Sequence, residues 1–314
     1  MKILIRTPKF IGDTIMMLPA LFLLQDKYSD AHFTIVCNPH FEALFRGMNV
    51  TLIIDESRQR KGIFKHQKLL QTLRQEKYDL GILFHNSLSS ALLFKLAYIT
   101  AIIGYKNDGR QFLLDFAPKI DRARHYINHY ANLVNLYLDT PYTTLPKVVL
   151  HSQNQTRFSK HSQPTIAFVL GSEKGYRGYP EDLSLALCEL LQNKPYQVLF
   201  LGDKEDAKTN ALYAKALPDS HDFSGTTSVA EFIDIIADVD LLITIDTSAM
   251  HIAAATGTKF ITLLGKGTSA FSLVQPKVDF GSYLYAGEDC IDDASQIRAL
   301  KPKVIIEEIE KRLS

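Results

Sequence analysis

Asp13 is the first residue of the chain whose type and surroundings indicate chemistry. It follows Gly12 in KFIGDTIMM, where the strand-like run 3–5 has ended and apolar residues recur at nearly helical spacing. An aspartate at such a place often caps the free N–H groups of the first helical turn. Because ligands of α/β proteins collect at the carboxyl ends of strands, the same carboxylate also faces any bound ligand. The two interpretations are compatible.

The segment LGSEKGYRGYP, at 170–180, has the composition of a phosphate-binding loop. Its glycines permit close approach of the backbone, and the helix predicted after it offers free N–H groups. Lys174 or Arg177 supplies the positive charge. The loop matches neither GxxxxGK[ST] nor GxGxxG, so the phosphate prediction depends on these features alone.

A second loop, LGDKEDAK at 201–208, follows another strand-like run and carries three carboxylates near a helix start. These are Asp203, Glu205 and Asp206. They either cap the helix and complement its dipole, or accept hydrogen bonds from the ribose hydroxyl groups of a nucleotide.

The segment LLITIDTSAMHIAAATGTKFITLLG, at 241–265, is the most informative. A strand-like run ends at Asp246, and Thr247 and Ser248 then open a helix of small residues that carries His251. Small residues at a helix start let a phosphate approach the N–H groups, and Asp246 is placed to orient those groups or to fix His251. His251 is therefore either a structural residue or a ligand contact.

These candidates depend on strands and helices that alternate in both halves of the chain. Two series of buried apolar runs separated by helical patterns predict two doubly wound, parallel-sheet α/β domains. The polar segment 151–164 separates them, giving predicted domains of 1–155 and 156–314, and a cleft between such domains is a natural ligand site. The strand-like runs are 3–5, 33–37, 51–55, 80–84, 165–171, 196–202, 241–246 and 259–265.

The net charge of +1 on these 314 residues conceals two oppositely charged halves. Residues 1–155 hold 19 Lys and Arg against 12 Asp and Glu, a balance of +7, whereas 156–314 hold 16 against 22, a balance of −6. Part of the excess is the run RQRKGIFKHQK, which is either a solvated face or a surface attracted to an anionic membrane. Its basic residues are Arg58, Arg60, Lys61, Lys65 and Lys68.

Cysteine usage and hydropathy indicate the cellular compartment of the protein. Cys37, Cys188 and Cys290 are too few and too far apart for a disulfide framework or a metal cluster, which favours a reducing, cytoplasmic compartment. The first residues lack the pattern of a signal peptide, and no apolar run predicts a membrane-spanning helix. We expect a monomer with no nucleic-acid partner.

Two segments together resemble the ADP-heptose:lipopolysaccharide heptosyltransferases, which are GT-B glycosyltransferases. IRTPKFIGDTIMMLPAL is similar to a family pattern of GD followed by an apolar helix, and ITIDTSAMHIAAATGTKFITLLG to D-[ST]-G-x-x-H-x-A-A. The stretch 71–114, with an Asn-Ser pair after a strand and Gly-Tyr-Lys beyond, is most similar to the heptosyltransferase II subgroup. Ser248 replaces the family's glycine, and the donor loop is one residue shorter than the family's, so either Arg177 or Lys174 takes the place of its lysine.

The resemblance implies transfer of L-glycero-D-manno-heptose from ADP-heptose to a heptose on the lipid A–Kdo core. Asp13 is implied to be the general base of an inverting reaction, and the first domain is implied to bind the lipid A–Kdo–heptose acceptor through Asn86, Ser87 and Lys106. Glu205 or Asp206 would contact the nucleoside. The implied donor-binding residues are Gly12, Ser172, Lys174, Arg177, Glu205, Asp206, Asp246, Thr247, Ser248 and His251.

On this interpretation the reaction needs no metal or other cofactor. Asp238-Val239-Asp240 mimics the DxD metal signature of another glycosyltransferase architecture, but it directly precedes a buried strand. Heptosyltransferase I, a GT-B nucleotide-sugar epimerase and a non-catalytic nucleotide-sugar binding module stay open as alternatives. We expect a cytoplasmic protein that docks peripherally, through its basic half, on the inner face of the inner membrane.

Overall fold

The chain divides into two units, Met1–Val148 with Ser272–Val274, and Val149–Phe271 with Gln275–Ser314. Unit 1 and unit 2 are each an α/β domain with its own parallel sheet. The computed structural model describes residues 1–59, 66–140, 144–154, 158–159, 162–172, 177–265, 269–285 and 295–314.

Unit 1 is built on the strands β1 (Lys2–Arg6), β2 (His32–Cys37), β3 (Thr51–Ile54), β4 (Leu80–Leu83) and β5 (Ala101–Gly104). In the described part of the unit, these five strands pair in parallel in the order β3-β2-β1-β4-β5. The helices are α1 (Ile11–Lys27), α2 (Gln67–Glu76), α3 (Leu88–Leu96) and α4 (Tyr126–Leu138), and a 3₁₀ helix covers Arg110–Leu113. The strand order reverses between β1 and β4, where doubly wound sheets bind their ligands.

The packing of α1 explains the position of Asp13. Residues 14–24 of this helix are almost all buried, and α4 packs along it. A helix that is apolar nearly all round belongs in such an interior position. Its polar N-terminal turn is left at the carboxyl end of β1, and Asp13 lies in that turn.

Unit 2 is built on β6 (Thr165–Val169), β7 (Gln197–Phe200), β8 (His221–Asp222), β9 (Leu241–Ile245), β10 (Phe260–Leu263) and β11 (Gly281–Leu284). Within the described residues of the unit, the parallel order is β11-β10-β9-β6-β7-β8, which reverses between β6 and β9. The helices are α5 (Glu181–Leu191), α6 (Ala207–Ala216), α7 (Val229–Asp238), α8 (Ser248–Thr256), α9 (Ser295–Ala299) and α10 (Pro302–Leu313).

The predicted fold class, two doubly wound parallel-sheet domains, is confirmed. All eight predicted strand-like runs contain strands, whereas β5, β8 and β11 were not predicted. β8 is two exposed polar residues and β11 is only partly buried, so neither shows the apolar run of an inner strand. None of the described helices has both the length and the apolar composition needed to cross a bilayer.

Candidate functional site

Asp13 lies in the first turn of α1, just beyond the carboxyl end of β1. The N-cap residue is Phe10, and within the described ranges Asp13 makes no hydrogen bond or ion pair. Its carboxylate therefore does not cap the helix, contrary to one of the two interpretations of the sequence. Burial raises the pKa of Asp13 to about 6, so desolvation outweighs the lowering effect of the helix N-terminus.

Aromatic side chains lie close to the buried Asp13. α4 packs along α1, and its Tyr130 is buried close enough to Asp13 for the two to interact electrostatically. Burial, and then the charge of Asp13, raise the pKa of Tyr130 well above its usual value. Phe84, just after β4, meets Tyr130 edge-on with ring centroids 5.7 Å apart. A carboxylate beside such groups loses hydration and becomes a better proton acceptor near neutral pH.

The loop after β4 carries two of the predicted acceptor-binding residues, Asn86 and Ser87. Ser87 is the N-cap of α3, where its hydroxyl accepts a hydrogen bond from the N–H of Ser90 at 3.2 Å. The same hydroxyl lies 3.1 Å from Nδ1 of His85, and that nitrogen lies 2.9 Å from Oγ of Ser90. Ser87 therefore has a structural role in holding the loop, and contact with an acceptor stays a prediction.

Arg110 holds the loop after β4 in place, and the sequence analysis did not identify this arginine. Its fully buried guanidinium donates to the carbonyl oxygen of His85 at 2.6 Å, to Oδ1 of Asn86 at 2.7 Å and to the carbonyl oxygen of Tyr105 at 3.0 Å. Burial lowers the pKa of Arg110 to about 10, so it keeps its charge at neutral pH. With Oδ1 of Asn86 held by Arg110, the amide nitrogen of Asn86 makes no hydrogen bond within the described residues and stays available as a donor.

The third predicted acceptor-binding residue, Lys106, lies after β5 with an exposed side chain. Its backbone N–H donates to the carbonyl oxygen of Pro118 at 2.8 Å, which fixes the loop but not the ammonium group. The basic run RQRKGIFKHQK was also predicted to meet an anionic surface. Its residues Arg60, Lys61 and Lys65 lie outside the described residues, as does the side chain of Arg58.

In unit 2, Asp206 covers the ends of two adjacent strands. A Cβ atom added to Gly171, after β6, would lie 1.8 Å from Oδ1 of Asp206, and one added to Gly202, after β7, would lie 2.6 Å from Oδ2. Burial raises the pKa of Asp206, although the backbone N–H of Asp203 donates to it at 3.1 Å and acts in the opposite direction. The close approach of this carboxylate therefore requires glycine at both strand ends.

Asp203 holds the turn that precedes α6. Its Oδ1 accepts hydrogen bonds from the backbone N–H of Glu205 at 2.7 Å and of Asp206 at 3.2 Å. Glu205 has an exposed side chain, whereas Asp206 is half-buried against the strand ends. Of the two candidates for a nucleoside contact, Asp206 is thus the one held in place by packing.

Arg177 and Asp246 form an ion pair at the carboxyl end of β9. Nη2 of Arg177 lies 3.0 Å from Oδ2 of Asp246 and also donates to the carbonyl oxygen of Asp246. Burial raises the pKa of Asp246, while the charge of Arg177 and its hydrogen bond act to lower it. Arg177 is thereby held beside the start of α8, where the sequence predicted a phosphate. The alternative cation, Lys174, lies outside the described residues.

The start of α8 offers the free N–H groups of an anion site, and a polar residue caps the helix there. Thr247 is the N-cap, and its Oγ1 accepts a hydrogen bond from the N–H of Ala249 at 3.4 Å. Ser248 begins the helix and has no positive φ, so replacing the family's glycine causes no backbone strain. His251 lies one turn further along and is buried, and Ser172 follows the neighbouring strand β6.

The Asp238-Val239-Asp240 segment lies away from these loops. Oδ2 of Asp240 accepts a hydrogen bond at 2.7 Å from the backbone N–H of Thr165, the first residue of β6. Asp240 is therefore at the amino edge of the sheet, opposite the edge that carries Asp246. In the part of the chain that the structure describes, no group of three or more His, Cys, Asp or Glu residues is placed to hold a metal ion.

The predicted residues thus gather at the strand-order reversal of each sheet. In unit 1, Asp13 follows β1 and Asn86 follows β4, and in unit 2, Ser172 follows β6 and Asp246 follows β9. Sequence reasoning missed Arg110, two of whose three partners are 24 and 25 residues away, and His85, which has no distinctive pattern around it. The roles of the gathered residues in binding and catalysis stay predictions.

Comparisons with known proteins agree on one family. The family model for glycosyltransferase family 9 (heptosyltransferase) matches residues 66–273. Lipooligosaccharide heptosyltransferase 2 of Haemophilus influenzae is 26% identical over 290 residues, covering 84% of this chain and 83% of that protein. Lipopolysaccharide heptosyltransferase 2 of Escherichia coli K12 is 25% identical over 300 residues, covering 87% and 85%. Six curated relatives match, each named heptosyltransferase 2.

The fold is also shared with a solved structure, the ADP-heptose lps heptosyltransferase II of E. coli. That structure matches with a TM-score of 0.85 at 23% identity, covering 100% of this chain and 98% of that chain. At this identity the likeness shows the fold alone, and with the two parallel-sheet units it confirms the predicted GT-B class.

Proposed function

The chain belongs to glycosyltransferase family 9 (heptosyltransferase), and from that premise we propose that it is a lipopolysaccharide heptosyltransferase II. Its donor is ADP-L-glycero-D-manno-heptose, and its acceptor is the heptose of a lipid A–Kdo–heptose core. Membership of a glycosyltransferase family favours transfer over the epimerase and binding-module alternatives. The shared name of the matched relatives favours the second heptose over the first.

The environment of Asp13 is the main support for this proposal. A carboxylate with no hydrogen bond or ion pair in the described residues and a pKa of about 6 is ionised at neutral pH yet basic enough to accept a proton in the transition state. A hydroxyl group of the acceptor heptose attacks C1 of the donor heptose, and Asp13 takes the hydroxyl proton. The bond between C1 and the phosphate oxygen breaks, and ADP leaves with the electron pair. One displacement of this kind inverts the anomeric centre.

The leaving pyrophosphate needs positive charge and N–H donors, because negative charge grows on it as the bond to C1 breaks. The first turn of α8 offers N–H groups, and Arg177 offers a cation that Asp246 holds in position. Asp206 supplies the carboxylate for the ribose hydroxyl groups. We propose that these groups suffice without a metal ion, so the rate in excess chelator should equal the rate without it.

The acceptor side is proposed to use Asn86 and Lys106. The amide nitrogen of Asn86 is a fixed donor for a sugar hydroxyl, because Arg110 holds the amide oxygen. The exposed ammonium group of Lys106 suits the carboxylate and phosphate groups of the core. We further propose that the protein acts as a monomer in the cytoplasm, docked on the inner face of the inner membrane, where such an acceptor is anchored.

The proposal is tested by offering purified core acceptors that carry no heptose or one heptose, together with ADP-heptose. Mass spectrometry should show one added heptose only on the acceptor that already carries one. Addition to the heptose-free core would make the protein a first-heptose enzyme. Isomerisation of ADP-heptose without any acceptor would contradict transfer altogether.

A further inference from the structure

Helix α3 presents an apolar stripe to solvent that the proposed reaction does not use. Leu88, Leu92 and Leu96 lie four residues apart, so they fall on one face of the helix. They are 43%, 46% and 44% exposed, whereas Ala91, Leu93 and Phe94 of the same helix are buried in the core. At a rise of about 1.5 Å per residue, the stripe is about 12 Å long.

Two exposed aromatic residues lie on the segments that adjoin α3. Tyr98 follows the end of α3, is 77% exposed, and has a positive φ of 59°. Phe112 is 74% exposed in the 3₁₀ helix Arg110–Leu113, which packs beside α3. Single exposed apolar residues are ordinary, but three leucines on one helix face, with two exposed aromatic residues on adjoining segments, indicate an interaction surface.

Basic groups accompany the stripe. Lys95 is exposed on the same side of α3, and the helix contains no acidic residue. The guanidinium of Arg74 lies 5.1 Å from the ring centroid of Tyr98 and donates to the carbonyl oxygen of Leu96 at 2.9 Å. Glu76, which is close to Arg74 in sequence, is paired with Lys2 at 2.9 Å. Leucine, tyrosine and basic side chains on one face are typical of a surface that lies in the headgroup region of a bilayer.

The stripe is continuous with the proposed acceptor site. Ser87 is the N-cap of α3, and Asn86 directly precedes it, so the first exposed leucine is two residues from the proposed acceptor contact. A lipid-linked acceptor keeps its acyl chains in the membrane while its sugars reach the protein. A face that lies on the bilayer at this point would therefore bring the acceptor loop to the height of the core sugars.

We propose that this leucine face, formed by Leu88, Leu92, Lys95, Leu96, Tyr98 and Phe112, is the surface by which the protein docks on an anionic lipid bilayer. The leucines enter the boundary between headgroups and acyl chains, the aromatic rings lie at the interface, and Lys95 and Arg74 meet lipid phosphates. Charge complementarity and continuity with the acceptor loop favour a bilayer over a second copy of the chain. The inference deepens the proposed function and depends on it for the identity of the lipid-linked substrate.

The test compares Leu92→Gln/Leu96→Gln with a matched control, Leu136→Gln/Leu212→Gln, whose leucines are 46% and 44% exposed on α4 and α6. Each full-length protein is mixed with vesicles of phosphatidylethanolamine and phosphatidylglycerol, without donor or acceptor, and the bound fraction is measured by flotation. We expect the α3 variant to bind at least about tenfold more weakly than wild type, and the control variant to bind as wild type does. Lys95→Gln should weaken binding to these vesicles at low salt, with little effect on neutral phosphatidylcholine vesicles.

Activity separates this inference from the proposed function. The α3 variant should keep the wild-type kcat on a core oligosaccharide without acyl chains, and show a higher KM only for acceptor embedded in vesicles. Wild-type binding by the α3 variant, or equal losses in the α3 and control variants, would overturn the inference. A wild-type dimer that the α3 variant converts to monomer would also overturn it, by making this face a contact between copies. If vesicle binding follows the prediction but no heptose is transferred, the docking surface stands and the proposed function fails.

Discussion

Asp13 combines two properties that a general base needs and a stable fold disfavours. Its carboxylate is desolvated by the packing of α1 and α4, and no hydrogen bond or ion pair in the described residues compensates it. A folded-state pKa of about 6, above the value of 3.8 for an unperturbed aspartate, means that the folded protein binds a proton more tightly than the unfolded chain. Stability is therefore lost as the pH rises from about 4 through about 6.

Asp13→Asn should accordingly stabilise the protein at neutral pH, since it removes a poorly solvated charge. The expected gain in the free energy of unfolding is about 1–3 kcal/mol near pH 7.5, vanishing near pH 4, where the wild-type carboxyl is also neutral. Thermal unfolding at the two pH values measures it, with Asp26→Asn, an exposed site on the same helix, as the control. Equal stability of Asp13→Asn and wild type near pH 7.5 would show that Asp13 is solvated.

Arg110 is expected to act on the acceptor through Asn86 rather than by contact. Lysine in its place keeps the charge but cannot reproduce the three directed hydrogen bonds to His85, Asn86 and Tyr105. Arg110→Lys should raise the KM for acceptor by about tenfold and leave the KM for ADP-heptose unchanged. Steady-state kinetics with each substrate varied in turn measures the split, and Lys147→Met, at an exposed site in unit 1, is the control. An equal rise in both KM values would indicate general damage to the fold.

At the scale of elements, the ends of β6 and β7 are shaped to receive one carboxylate. Because Asp206 lies where a side chain on Gly171 would be, Gly171→Ala must move that carboxylate. We expect the KM for ADP-heptose to rise by about tenfold, with the acceptor KM unchanged.

A double-mutant cycle identifies the cause of that effect. In an Asp206→Ala background the clash is absent, so adding Gly171→Ala should change the donor KM little further. Additive losses in the double variant would mean that Gly171 contributes independently of Asp206, for example through its own backbone contact with the donor.

The elements also show which parts of the fold and site were predictable. Parallel strands buried on both faces are continuous apolar runs, so β1, β6 and β9 and the loops at their carboxyl ends were evident, and with them Asp13, Ser172 and Asp246. The contacts of Arg110 were not evident, because they depend on β4 and β5 pairing, and β5 itself was not predicted. The ion pair of Arg177 with Asp246 was not evident either, because the two residues are 69 positions apart in the chain.

At the scale of the whole molecule, the two units differ in charge as well as in the chemistry of their loops. The excess of +7 in residues 1–155 belongs to the half that is proposed to meet an anionic, lipid-linked acceptor, while residues 156–314 carry −6. Long-range attraction of this kind is screened within about 8 Å at physiological salt, so it affects association and not the chemical step. The leucine face adds an apolar component that salt does not screen, and both components together would orient the protein on the membrane.

Asp13 is the proposed base in heptose transfer, and the turnover of Asp13→Asn tests that role most directly. With ADP-heptose and a core acceptor carrying one heptose, kcat should fall by about 10²–10⁴, while the Kd for ADP-heptose from calorimetry stays at the wild-type value. Asp26→Asn should retain the wild-type kcat. A kcat for Asp13→Asn within a few-fold of wild type, with folding and donor affinity intact, would show that Asp13 is not the base.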